Sequence, residues 1–253
     1  MQIAGHAAFV TGGGSGLGAA TAEALVKAGA RVALLDIDIS RAEVTAARIG
    51  ASAHHCDVAD AALAEAAFAQ AIAMLGTPRL LVNCAGIGPA ARIVGREGPM
   101  PLVSFARVIN INLIGTFNLL RLAADTMSKV DALEEGERGV IVNTASIAAF
   151  EGQIGQVAYA ASKGGVASLT LPAARELARY GIRVVTIAPG IFRTPMLEAL
   201  PENVKASLGA SVPFPQRLGE PGEYAALVLH ILANRMLNGE TIRLDGALRM
   251  APR

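Results

Sequence analysis

Residues 7–18 of this chain read Ala-Ala-Phe-Val-Thr-Gly-Gly-Gly-Ser-Gly-Leu-Gly, and they decide its fold. A short apolar run has strand composition, the glycines predict a turn, and a stretch of helical composition follows. Glycines at Gly12, Gly16 and Gly18 let backbone N–H groups approach a phosphate at the positive end of a helix. The spacing is not G-x-G-x-x-G, however, and a plain tight turn also uses glycine. The turn alone therefore leaves phosphate binding and simple chain reversal both open.

Outward from this turn, the chain alternates short apolar runs with longer helical stretches. The runs are almost entirely apolar, which is typical of strands covered by helices on both faces. The predicted strands are residues 7–11, 31–36, 53–57, 80–85, 140–146, 183–188 and 241–245, and the predicted helices lie near residues 16–28, 41–49, 59–75, 103–127, 159–179 and 221–233. This order predicts an α/β fold, a doubly wound parallel sheet of the Rossmann type, in a single domain over residues 1–253.

Three stretches have no predicted regular structure: residues 86–101, 147–157 and 189–217. They follow the fourth, fifth and sixth predicted strands, and ligands of open parallel sheets bind beyond the carboxyl ends of strands. The third stretch is the longest, and its prolines suit a substrate lid with short helical pieces. Its apolar residues are Leu197, Leu200 and Leu208.

Composition excludes several classes of function. Of 253 residues, 53% are hydrophobic and 17% charged, and the net charge of +1 has no basic stripe to bind nucleic acid. No run approaches the about 20 uninterrupted apolar residues of a membrane span. Cys56 and Cys84 form no metal-binding pattern with the four histidines. We see no secretory signal, so we expect a cytoplasmic protein, or one of the mitochondrial matrix if the source is eukaryotic.

The second predicted strand ends in Asp36, 18 residues after Gly18. A carboxylate at this position accepts both adenosine-ribose hydroxyls and repels a 2′-phosphate, and Asp38 adds to the repulsion. This pattern favours NAD over NADP, although an aspartate also simply ends many strands. Other strand ends fit the same nucleotide: Asp57 with Val58 after the third strand, and Cys84, Ala85 and Gly86 after the fourth.

Ser146, Tyr159 and Lys163 are the candidate catalytic residues. Tyr159 and Lys163 are four apart and share a helix face, and Ser146 ends the fifth predicted strand. Reduction of a carbonyl needs a proton donor beside the forming alkoxide, and we expect the Lys163 ammonium to lower the high pKa of the tyrosine. The serine hydroxyl would orient the substrate oxygen. A tyrosine and lysine at this spacing alone more often mark an ordinary amphipathic helix.

Together these motifs resemble the short-chain dehydrogenase/reductase family. The matches run in order through Thr11-Gly12-x3-Gly16-x-Gly18, Asn83-x-Ala85-Gly86, Asn112, Ser146, Tyr159-x3-Lys163 and Pro189-Gly190. The resemblance implies a seven-stranded parallel sheet of order 3-2-1-4-5-6-7, a Ser–Tyr–Lys site and a homotetramer or dimer. It also implies that Asn112 anchors a water relay through the lysine.

Within the family, the chain closely resembles the type II 3-hydroxyacyl-CoA dehydrogenases, also described as 17β-hydroxysteroid dehydrogenases of type ten. The similar stretches are residues 138–146, 149–153, 162–165, 212–215, 238–240 and 243–247, together with Cys84. This resemblance places Gln153 beside the substrate. It implies NAD contacts at Ser15, Leu17, Asp36, Asp57, Val58, Cys84, Tyr159, Lys163, Phe192 and Thr194.

The expected activity is therefore the NAD-dependent interconversion of a 3-hydroxyacyl-CoA and a 3-ketoacyl-CoA. A hydroxysteroid or another secondary alcohol is the alternative substrate, and a cofactor-binding scaffold subunit is the alternative of another class. The loop of residues 86–112 is shorter than in the animal enzymes and differs in sequence, which leaves the acyl chain open. Its Arg92 and Arg96 either meet coenzyme A phosphates or are solvated loop residues.

Overall fold

The computed structural model describes residues 1–198 and 201–252. These residues form one α/β domain with a seven-stranded parallel sheet between two layers of helices. The strands are β1 Ala7–Thr11, β2 Arg31–Asp36, β3 Ser52–His55, β4 Pro78–Asn83, β5 Gly139–Thr144, β6 Ile182–Pro189 and β7 Thr241–Leu244. The helices are α1 Gly16–Lys27, α2 Ile39–Ile49, α3 Ala61–Leu75, α4 Leu102–Ile109, α5 Gly115–Ser128, α6 Val157–Leu177, α7 Pro195–Glu198, α8 Glu202–Ala210 and α9 Pro221–Ala233.

The sheet has the order β3-β2-β1-β4-β5-β6-β7, and every neighbouring pair is parallel. The predicted fold and strand order are therefore confirmed. The order of the strands reverses between β1 and β4, and this reversal opens a crevice at the carboxyl ends of the strands. The glycine turn, which follows β1, lies at this crevice.

The core has two layers, one on each face of the sheet. Successive residues of β1 point to opposite faces, so that Val10 packs in one layer and Phe9 in the other. Phe9 meets Phe68 of α3 edge to face, with ring centroids 5.1 Å apart. Burial on both faces explains why the strand runs are almost entirely apolar.

The predicted helix over residues 103–127 is interrupted. A π-helical turn, Asn110–Ile114, separates α4 from α5. Such turns insert one residue into the helical register and often occur at functional sites. Here the turn contains Asn112, which is fully buried. The helical periodicity of the sequence does not predict this burial.

Three strand ends predicted from sequence were wrong by two residues. β3 ends at His55, β4 at Asn83 and β5 at Thr144, so Asp57, Ala85 and Ser146 lie just beyond their strands. Ser146 caps a short 3₁₀ turn, Ile147–Ala149, because its Oγ accepts the N–H of Ala148 at 3.1 Å. This local side-chain bond competes with continuation of the strand.

The loops differ in part from the prediction. The stretch of residues 86–101 contains a two-residue hairpin, Val94–Gly95 paired with Gly98–Pro99. The stretch of residues 189–217 contains the short helices α7 and α8, as its prolines suggest. Leu200 lies outside the described residues.

Among the described residues, one helical run, Leu102–Ser128, is long and apolar enough to cross a membrane, with a mean hydropathy of 1.3. One such helix is weak evidence, because core helices pass the same test. This run packs on the sheet through the buried Leu119 and Ala123, and Asn118 donates to the Val58 carbonyl at 3.0 Å. We therefore assign it to the helical layer of the domain.

Candidate active site

The glycine turn is packed too tightly for side chains. Gly12 and Gly16 have positive φ angles of 62° and 53°. A Cβ on Gly18 would lie 2.2 Å from the carbonyl oxygen of Gly12, and one on Gly12 would lie 2.9 Å from the nitrogen of Ala85. Glycine at position 18 therefore lets α1 pack against the glycine turn, and glycine at position 12 lets the turn pack against the chain that follows β4.

The N-terminus of α1 is free to bind an anion. Ser15 occupies the N-cap position, but its side chain makes no capping hydrogen bond, and the first turn contains no acidic residue. The N–H groups of a first helical turn have no partner within the helix and carry partial positive charge. These donors border the crevice and fit the pyrophosphate of a dinucleotide.

Asp36 is held in place by backbone donors. Its Oδ2 accepts the N–H of Gly14 at 2.8 Å, and its Oδ1 accepts the N–H of Asp38 at 2.9 Å. Each carboxylate oxygen has a second lone pair for a ligand hydroxyl. Arg41, the nearest cation along the chain, pairs with Asp38 at 3.5 Å. The carboxylate is thus fixed at the edge of the site, where it fits a ribose diol.

A cavity of about 700 Å³ connects the glycine turn with the candidate catalytic residues. The sequence-predicted residues that line it are Gly12, Ser15, Gly16, Leu17, Gly18, Asp36, Asp57, Val58, Cys84, Ala85, Gly86, Ser146, Gln153, Tyr159, Lys163, Pro189, Gly190, Phe192 and Thr194. Asn112 does not belong to this lining. Its amide lies behind the wall, where it accepts from the Ile87 N–H and donates to the Ile87 carbonyl, both at 2.8 Å, and to Ser162 Oγ at 3.0 Å.

Lys163 is a buried ammonium at the inner end of the cavity. Its side chain extends from α6 to β5, where Nζ donates to the Thr144 carbonyl at 2.7 Å. Burial in the low-dielectric interior lowers the pKa of Lys163 to about 8. The lysine is therefore positively charged near neutral pH and releases its proton far more readily than a surface lysine.

Tyr159 lies one helical turn before this lysine, and Nζ is 5.8 Å from the centre of its ring. Burial raises the pKa of Tyr159, and a hydrogen bond with Ser146 opposes the rise. The expectation that Lys163 lowers the pKa of this tyrosine was therefore wrong. The reason is that desolvation by burial is the largest influence on the phenol and outweighs the hydrogen bond with Ser146.

A buried hydrogen-bond network behind the lysine was missed by sequence reasoning. Thr144 Oγ1 lies 2.7 Å from the hydroxyl of Tyr224, a residue of α9, and donates to the Asn83 carbonyl at 2.6 Å. The Tyr224 hydroxyl also lies 3.8 Å from Cys84 Sγ. Thr11 Oγ1 accepts the N–H groups of Cys84 and Ala85, both at 3.1 Å. These contacts join segments that are far apart in the chain, so no local sequence pattern predicts them.

Further residues of the cavity wall were also missed, among them Arg107, Gln156 and Met250. Gln156 had a weak signal, because it follows Gln153 within one loop, and its Oε1 accepts the Gln153 N–H at 3.0 Å. Met250, near the C-terminus, had none.

The stretch of residues 189–217 borders the cavity through Leu197 and Leu208. Its ends are tied to the start of α9. Arg193 pairs with Glu220 at 3.1 Å, and Arg217 pairs with Glu223 at 2.7 Å.

Comparisons with known proteins agree with this geometry. Residues 6–205 match the family of short chain dehydrogenases. The chain is 52% identical over 255 residues to a 3-hydroxyacyl-CoA dehydrogenase type-2 of Bos taurus, which covers 99% of this chain and 98% of that protein. A crystal structure of a 3-hydroxyacyl-CoA dehydrogenase type-2 from Mycobacterium avium is similar with a TM-score of 0.93 and 43% identity, over 98% of both chains. A 7α-hydroxysteroid dehydrogenase complexed with NADH and 7-oxo glycochenodeoxycholic acid is similar with a TM-score of 0.89 and 29% identity, over 98% of this chain and 96% of that one.

Proposed function

Because the chain belongs to the family of short chain dehydrogenases, we propose that it interconverts a 3-hydroxyacyl-CoA and the corresponding 3-ketoacyl-CoA. The protein is an NAD(H)-dependent oxidoreductase. The observation that best supports the proposal is the single cavity that contains the glycine turn and Asp36 at one end and Ser146, Tyr159 and Lys163 at the other. Such a cavity brings a dinucleotide and a carbonyl group to the same proton donor.

The chain's own residues handle the oxygen and its proton. NAD(H), when bound, accepts or supplies the hydride at the carbinol carbon. Ser146 donates a hydrogen bond to the substrate oxygen, and Tyr159 donates the proton to it or removes the proton from it. Lys163 keeps positive charge beside the tyrosine, and Asn112 holds the backbone at Ile87, next to the lysine. The residues proposed to bind the cofactor are the sequence-predicted residues of the cavity lining other than Ser146 and Gln153, which are proposed to contact the substrate.

The raised pKa of Tyr159 suits the reductive direction. It keeps the phenol protonated near neutral pH, so that the tyrosine is ready to donate. Oxidation needs the phenolate instead, and the Lys163 charge favours that form. We therefore expect oxidation to be faster as pH rises above neutral, until loss of the lysine proton, with a pKa of about 8, removes this support.

The proposed preference for NAD is supported by the fixed position of Asp36. A 2′-phosphate placed near its two oxygens would meet like charge, and Arg41, which also lines the cavity, has Asp38 as its partner at 3.5 Å. Asp36→Asn keeps one acceptor oxygen, replaces the other by an NH₂ group and removes the negative charge that repels a 2′-phosphate. We expect this variant to prefer NADH less strongly: the kcat/KM for NADH divided by that for NADPH should fall by at least about tenfold. Steady-state kinetics would measure both values.

The proposed acyl-CoA substrate is supported by the relatives' names and by the apolar side chains of Leu197 and Leu208, which line the cavity from the proposed lid. Gln153 is proposed to lie beside the substrate. Arg92 and Arg96 are exposed in the loop after β4, and their charge and loop position support the proposal that they meet phosphates of coenzyme A. If Arg92→Ala and Arg96→Ala leave the KM for acetoacetyl-CoA unchanged, this part of the proposal is wrong.

A hydroxysteroid or other secondary alcohol is the second candidate substrate. It is favoured by the structural similarity to a hydroxysteroid dehydrogenase and by Leu197 and Leu208, which would contact a steroid as readily as an acyl chain.

Initial-rate kinetics separates these possibilities. Rates would be measured with NADH and NADPH across acetoacetyl-CoA, longer 3-ketoacyl-CoAs and a 17-ketosteroid. We expect the highest kcat/KM with NADH and a 3-ketoacyl-CoA. A dominant steroid activity would replace the first proposal by the second, and a preference for NADPH would contradict the role of Asp36. NADH binding without turnover of any ketone would favour a scaffold protein.

We propose a homotetramer in the cytoplasm, or in the mitochondrial matrix if the source is eukaryotic. The assembly is supported by apolar side chains exposed on α4 and α5, of which Leu102 is 80%, Val103 74% and Phe117 53% exposed. Exposed apolar side chains in such numbers are typical of surfaces that pack against another subunit. Light scattering would measure the mass, and a monomer would contradict the proposal.

A further inference from the structure

The last described residues of the chain, 248–252, lie across the loop that follows Ser146. We name these residues the C-terminal strap, and residues 147–157 the catalytic loop. Backbone and side-chain bonds join the two segments. Ile154 donates its N–H to the Pro252 carbonyl at 3.0 Å, and Gln153 Nε2 donates to the Ala251 carbonyl at 3.0 Å. The strap is thus paired with the loop that presents Gln153 to the cavity.

An ion-pair cluster fixes the same contact. Arg243 of β7 binds Glu151 of the catalytic loop through two hydrogen bonds of 2.9 and 3.1 Å, and its Nε bonds to Asp245 at 2.7 Å. Arg249 of the strap adds contacts of 3.3 Å to both carboxylates. Two arginines thus balance two carboxylates, and the fork geometry of Arg243 makes its pair with Glu151 directional.

The strap is also bonded directly to this cluster. Glu151 Oε2 accepts the N–H of Met250 at 3.1 Å, and Arg243 donates to the Leu248 carbonyl at 2.9 Å. The hydrogen bond from Arg243 lowers the pKa of Glu151, so the carboxylate stays charged under ordinary conditions. These bonds set the position of the strap backbone on either side of Arg249.

Three segments meet in one apolar cluster beside the cavity. Ile147 of the catalytic loop, Val212 of the proposed lid and Leu248 of the strap are buried together, and Met250 packs against them. Met250 also lines the 700 Å³ cavity, and its contacts with Glu151 and the Ile147 cluster lie in the loop that directly follows Ser146. Its thioether side chain is therefore a part of the wall at the end where the carbonyl group binds.

We infer that Met250 limits the size of the substituent that the site accepts on the carbonyl carbon, and that Glu151, bonded to Arg243, is the positioning residue that holds Met250 in the wall. The inference rests on the proposed function only in taking a carbonyl compound as substrate, and not in the coenzyme A group. A flexible thioether at this place fills irregular space and excludes longer or branched chains by its volume.

Met250→Ala tests the specificity role. The ratio of kcat/KM for 3-ketodecanoyl-CoA to that for acetoacetyl-CoA should rise by about tenfold, because a pocket change of a few methylenes alters discrimination by that order. Met250→Leu conserves volume and should leave the ratio near that of the wild type. Met236→Ala is the matched control, since Met236 is 91% exposed and lies away from the cavity. A ratio for Met250→Ala equal to that of Met236→Ala overturns the inference.

Glu151→Gln tests the positioning role, and its first readout, amide hydrogen exchange, does not require the enzyme to be active. The amide of Ile154 bonds to the strap, so its hydrogen exchange should be at least about tenfold faster in this variant, because a locally opened segment loses protection. KM for acetoacetyl-CoA should rise while kcat changes little. Glu134→Gln, which alters an exposed pair with Arg235, is the control. Unchanged exchange at Ile154 contradicts the positioning role.

The test separates this inference from the proposed function. If the wild type reduces other ketones but no 3-ketoacyl-CoA, the acyl-CoA proposal fails, and the same ratio is measured with a long-chain and a short-chain methyl ketone. If no ketone is reduced, binding of both acyl-CoA ligands to the NADH complex is followed by nicotinamide fluorescence. A binding ratio that Met250→Ala does not change then contradicts the inference.

Discussion

Replacement of Lys163 by methionine should abolish catalysis and yet stabilise the fold near neutral pH. A pKa lowered from 10.5 to about 8 means that the folded state holds this proton less favourably by about 3 kcal/mol. Methionine has a similar shape and no charge to desolvate, so that cost disappears. The hydrogen bond to the Thr144 carbonyl is lost as well, which costs about 1–2 kcal/mol. The net expectation is a gain of about 1–2 kcal/mol in the free energy of unfolding.

The sign of the pH dependence follows from the lowered pKa of Lys163. Below about pH 8, the lysine is protonated in both the folded and the unfolded protein, so the wild type bears the full cost of burying its charge. Between about pH 8 and 10.5, the folded state loses the proton first, and the cost falls away. The advantage of Lys163→Met should therefore shrink by about 2 kcal/mol between about pH 7 and pH 10.

Urea unfolding of both proteins at each pH measures this difference, and other titrating groups cancel in the comparison. Lys129→Met is the matched control, since Lys129 is 68% exposed and pairs with Asp125 across one helical turn. We expect it to change stability by less than about 0.5 kcal/mol, with no trend in pH. A Lys163→Met protein that is less stable than the wild type at neutral pH, or whose advantage does not depend on pH, would refute the reasoning.

Two further changes test the packing around the site. Gly18→Ala should destabilise the fold by about 1–3 kcal/mol, because its Cβ would lie 2.2 Å from a backbone oxygen of the glycine turn. The control is Gly222→Ala, whose Cβ meets nothing within 4 Å and which should be neutral or slightly stabilising. Equal thermal stability of the two variants would contradict this expectation. Tyr224→Phe should lower the free energy of unfolding by about 1 kcal/mol, because the tyrosine hydroxyl lies 2.7 Å from the buried Thr144 hydroxyl. Tyr180→Phe, on the periphery, is the control and should not change the denaturation midpoint. Equal losses of stability in both variants would contradict a specific role for the buried hydrogen bond.

Much of the site could be predicted because its parts are local. The strand, the glycines and the helix of residues 7–27 are consecutive, and so is the acidic end of β2. Tyr159 and Lys163 share a helix face by their spacing alone. These residues line one cavity because parallel strands bring their carboxyl ends to the same edge of the sheet.

Other features depend on contacts between distant parts of the chain. The π-helical turn at Asn112 departs from regular helical periodicity, and the bond between Thr144 and Tyr224 joins residues 80 apart in the chain. The C-terminal strap reaches the catalytic loop from 99 residues away, as the bond from Met250 to Glu151 shows. No repeating pattern encodes such pairs.

The sequence by itself therefore determined the order of strands and helices, the place of the cavity and the residue types within it, because those follow from local periodicity and from the geometry of parallel sheets. Only the tertiary structure decided how strongly the interior acts on the charged groups. Desolvation lowers the pKa of Lys163 and raises that of Tyr159, and desolvation depends on everything packed around a group rather than on its neighbours in the chain.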